Sequence, residues 1–338
     1  MFKREVISMI KSISFMPVPF DGEHFMGVMS RKAILLDSTD PKAMFERMLT
    51  EVGSLSNQRI YHPLIDVAAN AYEGSISREQ LLRKHSLFPY YSSTMHFHGV
   101  DKIINKRIRK GGLWKRCEFI EQVPSMPAPS YKSLSFTSAW RWCPVCAIED
   151  EQRVGTSYWH VEHQLPSMLT CSKHNCELIE NCNRCGYSNT DIRVTATPPT
   201  NNTCPKCGGV HEASYPRLNE HIAWVQQASM SLLNSPGALA KPHFEYVMKR
   251  GIQNAFISFI EGRTQKQVFL AAALQQDFES WFFEHGFERF FHESEAVIKY
   301  KTLSLEKALR NVNGWHPLFV LMWLRFLAVE WPSLEIAA

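Results

Sequence analysis

Eight residues between Cys143 and Cys207 have the types and spacing to hold metal ions. Cys143 and Cys146 form C-x2-C, Cys171 and His174 follow as C-x2-H, and Cys182/Cys185 and Cys204/Cys207 repeat C-x2-C. A two-residue gap lets one tight turn aim two donors at one ion, while backbone N–H groups inside the turn hydrogen-bond the thiolates. Two such turns complete a tetrahedron. The spacing therefore predicts two zinc ions, one on Cys143, Cys146, Cys171 and His174 and one on Cys182, Cys185, Cys204 and Cys207. Cys176, His160 and His163 are rival donors for the first set, and an interleaved pairing of turns satisfies the spacing equally well. Four protein donors close the coordination sphere, whereas a catalytic zinc keeps a position open for water or substrate. Both ions are therefore expected to be structural. Gly186 and Gly208 each follow a turn directly, where the chain often needs positive φ. Cys117 and Cys176 read as a buried thiol and a spare residue.

The bulk composition agrees with an intracellular metal protein. Of nine cysteines, eight fall from Cys143 to Cys207, and an odd total clustered in this way does not suit a disulfide framework and points to a reducing compartment. The N-terminus mixes Lys3, Arg4, Glu5 and Lys11 with apolar residues and does not read as a signal peptide. The longest apolar run, Pro317 to Leu324, stops at Arg325, too short for a bilayer. The expected location is the cytoplasm, with no membrane partner. A 45% hydrophobic, 12% aromatic chain can build ordinary cores, and a net charge of only +4 confines any nucleic-acid contact to local patches.

The elements that must position these donors fall into three segments, and the expected fold is mainly α. Residues 1–140 read as an N-terminal helical domain with helix-turn-helix character. Asp40 caps a helix from Pro41 to Leu49, Ser77 with Gln80 forms a capping box closed later by Pro89, and another helix starts near Asp101. Gln122 to Ser133, with Pro124, Pro127 and Pro129, reads as a linker. Residues 141–215 form the double zinc-binding module, zinc-finger or ribbon-like. It is turn-rich, with little to suggest a long helix, because metal replaces a core in such modules. Residues 216–338 read as a C-terminal helical domain. Leu218, Ile222, Val225 and Leu232 keep helical spacing. Thr264 and Gln267 form a capping box, and Gly286 marks a helix end. Leu303 to Arg310, a turn at Asn313-Gly314 and Pro317 to Val329 give a helical pair, either a hairpin or a helix-turn-helix. The aromatic set Trp281, Phe282, Phe283, Phe287, Phe290 and Phe291 is expected in the core. A helical domain of this kind could form a homodimer, dock a partner or touch DNA, and the pattern does not choose between them.

The order of these motifs resembles the TniQ/TnsD family of Tn7-like transposon target-selection proteins. Trp140-Arg141-Trp142-Cys143-Pro144-Val145-Cys146 resembles the opening of the TniQ zinc module. Tyr158-Trp159, Glu162-His163-Gln164-Leu165-Pro166 and Cys171-Ser172-Lys173-His174 continue it in order. His85-Ser86-Leu87-Phe88-Pro89-Tyr90-Tyr91 and Met16-Pro17-Val18-Pro19-Phe20 with Glu23 resemble TnsD-type stretches nearer the N-terminus. The likeness covers residues of about 14 to 210. It implies that Cys143, Cys146, Cys171 and His174 are the first ligand set and that His163 is structural. It also implies a non-catalytic adaptor linking a target-recognition complex, such as guide-RNA-loaded Cascade, to the AAA+ regulator TnsC and through it to the transposase. Long TnsD members carry a further C-terminal DNA-binding region, and the end of this sequence at Ala338 favours the shorter TniQ role. The alternative within the family is a TnsD-type protein that binds a chromosomal attachment site directly.

Two further features bear on function. Lys102, Lys106, Arg109 and Lys110 would share one helix face, with Arg107, Lys115 and Arg116 nearby. That stripe could neutralise phosphates of DNA or guide RNA, or simply face solvent. Trp114 could stack on a base or sit in a core. Catalytic signatures are scarce, with no P-loop and no evident carboxylate triad. The enzymatic rival is an HNH-like metal-dependent nuclease, suggested by Glu162 to Pro166 lying between Cys146 and Cys182. Gly186 after Cys185 stands where such an enzyme would need a terminal histidine.

Overall fold

A computed structural model describes residues 15–36, 64–93, 139–192, 195–234, 266–291 and 316–327. The expected helices at Pro41 to Leu49, near Asp101 and at Leu303 to Arg310 lie outside the described residues. So do the linker at Gln122 to Ser133, the turn at Asn313-Gly314, Thr264, Trp114 and Cys117. The described residues are mainly helical, and their only β pairing consists of isolated bridges. They divide into two compact units: one holds the described residues up to 88 and from 139 to 216, and the other holds residues 89–93 and those from 217 onward.

In the first unit, α1 spans Phe25–Leu35, α2 Leu64–Ala71, α3 Arg78–Lys84 and α5 Pro144–Val154, while the short α4, Phe88–Ser92, crosses from the first unit into the second. Helix α1 starts where the His24 ring accepts the Met26 N–H. It docks through backbone bonds from His24 N to the Trp159 carbonyl and from Phe25 N to the His85 carbonyl, each 2.7 Å. Helix α3 begins with the capping box, Ser77 Oγ accepting from Gln80 N and Gln80 Oε1 accepting from Ser77 N. It ends at Lys84 with His85 as its cap, so Pro89 does not close it. Pro89 sits in the first turn of α4, where a missing N–H costs no helical bond.

The sequence undersells α5. Cys143 caps it, Pro144 occupies the first position and Gly155, at φ 80°, ends it. Pro just inside a start and Gly just past an end is a readable helix signature. The first part of the metal region also has its own apolar core, contrary to the expectation that metal replaces one. Trp140, Trp159 and Leu165 are 2%, 0% and 0% exposed. Trp140 packs on Trp159 with ring centroids 5.8 Å apart, and Trp142 meets Trp159 edge-on.

In the second unit, α6 (Glu220–Asn234), α7 (Lys266–Glu284) and α8 (Pro317–Phe326) surround an aromatic core, with α6 and α7 both packed on α8. Phe278 stacks on Trp323 with centroids 3.8 Å apart. Ile222, Val225 and Leu232 of α6 are buried, as their spacing predicts, while Leu218 precedes the helix. Phe282, Phe287, Phe290 and Phe291 are core residues, but Phe283 is exposed. Helix α8 is capped by His316, whose Nδ1 accepts the Leu318 N–H at 3.2 Å.

Candidate metal centres

Three turns of the metal region share one backbone plan. In each, the residue before the first donor bridges the residue seven positions on, as in Thr170–Glu177, Asn181–Ser188 and Thr203–Val210. The first cysteine donates its N–H to the carbonyl five residues later, Cys171 to Cys176, Cys182 to Tyr187 and Cys204 to Gly209, each at 2.8 Å. The residue after the second donor returns its N–H to that cysteine's carbonyl: Asn175 to Cys171, Gly186 to Cys182 and Gly208 to Cys204. These three residues have φ of 55°, 67° and 70°. Glycine and asparagine tolerate this left-handed region best. The expectation for Gly186 and Gly208 holds, and Asn175 is the third member, concealed because it is not glycine. Cys143–Cys146 is built differently, on the N-terminus of α5, where Cys146 N donates to Cys143 Sγ at 3.3 Å.

The structure gathers the donors into two four-membered clusters, Cys143/Cys146/Cys171/His174 and Cys182/Cys185/Cys204/Cys207. In the first, His174 Nδ1 lies 3.4, 3.3 and 3.7 Å from the sulfurs of Cys143, Cys146 and Cys171. Cys146 and Cys171 are 3.7 Å apart. In the second, Cys182–Cys207 and Cys185–Cys204 measure 3.6 and 3.8 Å. A tetrahedral zinc with ordinary bond lengths needs about 3.8 Å between sulfurs and about 3.5 Å between sulfur and nitrogen. Both donor sets fit that ion in size and chemistry.

The rival donors are also accounted for. His160 commits Nε2 to Asp150 at 2.7 Å. Cys176 Sγ is 3.2 Å from Cys143 but outside the four-membered cluster, and the residue serves its turn through its backbone. His163 Nε2 stands 3.9 Å behind Cys146 Sγ, and its ring is 1% exposed. Burial holds this imidazole well below its usual pKa, so it stays neutral. His160, Glu162 and His163 do lie close together, but a sealed ring offers no substrate access for a nuclease base.

Electrostatics distinguish the clusters. Backbone N–H groups of Cys185 and Arg184 pull the Cys182 thiol down to about 6, as the turn geometry requires for holding a thiolate. In the first cluster, hydrogen bonds from Cys146, Cys171 and Cys176 gather negative charge on Cys143, lowering its pKa while raising those of Cys146 and Cys176. Lys173, Arg184 and Lys206 occupy the same third position of the three turns. Each brings a positive charge beside thiolates that outnumber the charge of one divalent ion.

The motif residues around the donors have mechanical roles that spacing did not reveal. Arg141, fully buried, donates to the carbonyls of Leu165 and Met168. Gln164 Oε1 accepts the Arg141 N–H while its Nε2 donates to the Arg141 carbonyl. The pair ties the residues before Cys143 to those before Cys171. The basic residues Lys102, Lys106, Arg107, Arg109, Lys110, Lys115 and Arg116 lie outside the described residues.

Residues 14–178 match the TniQ family model. The chain is 22% identical over 161 residues to the transposon Tn7 transposition protein TnsD of Escherichia coli. That stretch covers 47% of this chain and 30% of the relative, so the chain spans less than a third of that protein's length.

Proposed function

We propose, from the match of residues 14–178 to the TniQ family model, that the chain is a non-catalytic target-selection adaptor of a Tn7-like transposon. In this reading it links a target-recognition complex, such as guide-RNA-loaded Cascade, to the AAA+ regulator TnsC and so to the transposase, in the cytoplasm. The family match carries the proposal. The two closed donor sets support it, since each already offers four protein ligands and leaves no position for a reacting water. Cys143, Cys146, Cys171 and His174 would hold one zinc, and Cys182, Cys185, Cys204 and Cys207 the other. Bound there, the ions stabilise the fold. The chain's own residues shape the turns, neutralise the thiolates and present the surrounding surface to partners.

The similarity to TnsD favours a second reading, direct binding of a chromosomal attachment site. The helix-turn-helix character of the N- and C-terminal segments and the basic stripe from Lys102 to Arg116 belong to either reading. So does the division into 1–140, 141–215 and 216–338, which limited proteolysis tests. A pull-down with immobilised protein separates the two. Retention of guide-loaded Cascade and TnsC, with only salt-sensitive DNA binding, supports the adaptor. Tight, competitor-resistant capture of an attachment-site fragment alone replaces it with the TnsD-type reading.

A further inference from the structure

His174 turns one ring nitrogen towards the first cluster and leaves the other behind it. Nδ1 faces the three sulfurs at 3.3 to 3.7 Å, so a metal-binding ring must carry its proton on Nε2. That Nε2 is buried and makes no aligned hydrogen bond. A buried N–H without a partner is costly and calls for an acceptor. The acceptor within reach is Glu149, whose Oε2 stands 3.2 Å away. Glu149 lies on α5 one turn after Cys146, so the helix that starts at Cys143 and carries Cys146 also carries the carboxylate. Lys173, next to His174, bonds the same Glu149 oxygen and braces it from the turn side.

We propose that Glu149 is a positioning residue for the first metal centre, its carboxylate taking the Nε2–H of His174 and fixing the tautomer and ring plane that present Nδ1 to the ion. Zinc-bound histidines are commonly oriented by such a partner, and its loss lowers metal affinity by roughly tenfold to a hundredfold. Glu149 is half-exposed, so the lower end applies. The arrangement also gives the first cluster an internal brace from α5 to the Cys171–His174 turn. The inference rests on the reading of Cys143, Cys146, Cys171 and His174 as a metal site.

The test titrates Co2+ into the full chain after zinc removal, because three-sulfur-one-nitrogen and four-sulfur centres absorb differently and report separately. In Glu149→Ala the first centre should bind roughly tenfold more weakly, with the four-sulfur centre as an unchanged internal reference. Glu149→Gln keeps an oxygen acceptor without the charge and should fall between Glu149→Ala and the natural chain, which separates orientation from loss of folding. A three-sulfur-one-nitrogen spectrum with unaltered affinity in both variants overturns the role of Glu149 alone. Absence of that spectrum in the natural chain overturns the metal site itself and the inference with it.

Discussion

Replacing Glu23 by alanine should be among the most damaging single changes in the first unit. Glu23 is fully buried and grips Arg31 on α1 in a fork, Nε to Oε1 at 3.0 Å and Nη2 to Oε2 at 2.8 Å. Glu23 Oε2 also accepts the Phe20 N–H, and its carbonyl accepts from His85 Nδ1. Burial pushes the Glu23 carboxyl above its ordinary pKa even with Arg31 beside it. The intact pair is therefore a weak net stabiliser. Breaking it is another matter. The Arg31 side chain is only 10% exposed, and Glu23→Ala leaves it with the Val18 carbonyl and the Phe20 ring. An uncompensated buried charge costs about 3–5 kcal/mol, a large part of a domain's stability. Urea-dependent hydrogen exchange over Phe25–Leu35 in the zinc-loaded protein measures it. Glu23→Met combined with Arg31→Leu should recover at least half of the loss, because removing both charges removes the orphan. A loss under about 1 kcal/mol in Glu23→Ala, or a double variant as unstable as the sum of the singles, would refute this reasoning.

Three other outcomes are expected. Burial lowers the pKa of His316, the cap of α8, to about 3 from an ordinary 6.5. A depressed base stabilises the fold fully above about pH 6.5 and progressively less as pH falls towards 3, by up to about 1.4 kcal/mol per pH unit. His316→Asn keeps a capping oxygen and cannot titrate, so hydrogen exchange of α8 should lose that slope; an unchanged slope would place the titration elsewhere. Cys204→Ser should reduce zinc from two ions to one per chain by plasma mass spectrometry and unfold the 182–209 turns, whereas a folded variant keeping both ions would overturn the ligand assignment. Gly186→Ala places a methyl group in open space at φ 67° and should cost about 1–2 kcal/mol through backbone strain alone. Gly209→Ala meets the flexible Arg184 side chain at 2.7 Å and the Cys207 sulfur at 3.4 Å, with no positive φ to strain, and urea midpoints should rank it the milder change.

Much of the candidate site was legible because its information is local. A two-residue gap between donors is a property of one turn, so which cysteines could act together followed from spacing. Gly186 and Gly208 were readable for the same reason. The capping box at Ser77 and the buried stripe of α6 depend on neighbours within one helix. Helix α5 was missed although Pro144 and Gly155 mark its ends, since its sequence is short and mostly charged or polar after Ile148. Pro89 was misread because proline stops one helix and starts another with equal ease.

The rest needed distant chain brought together. His174 and Cys176 compete for one place in the spacing, and the fold separates them by turning Nδ1 of His174 towards three sulfurs. The rings of His163 and His160 become neutral wall and carboxylate partner only once α5 lies beside them. Glu149 faces His174, and Arg141 reaches Leu165 and Met168, across 25, 24 and 27 residues. Sequence alone determined which atoms could bind metal, because bonding reach within a turn is set by covalent geometry. Tertiary structure decided which of them meet and what braces them, because burial and second partners depend on packing between segments that no local pattern encodes.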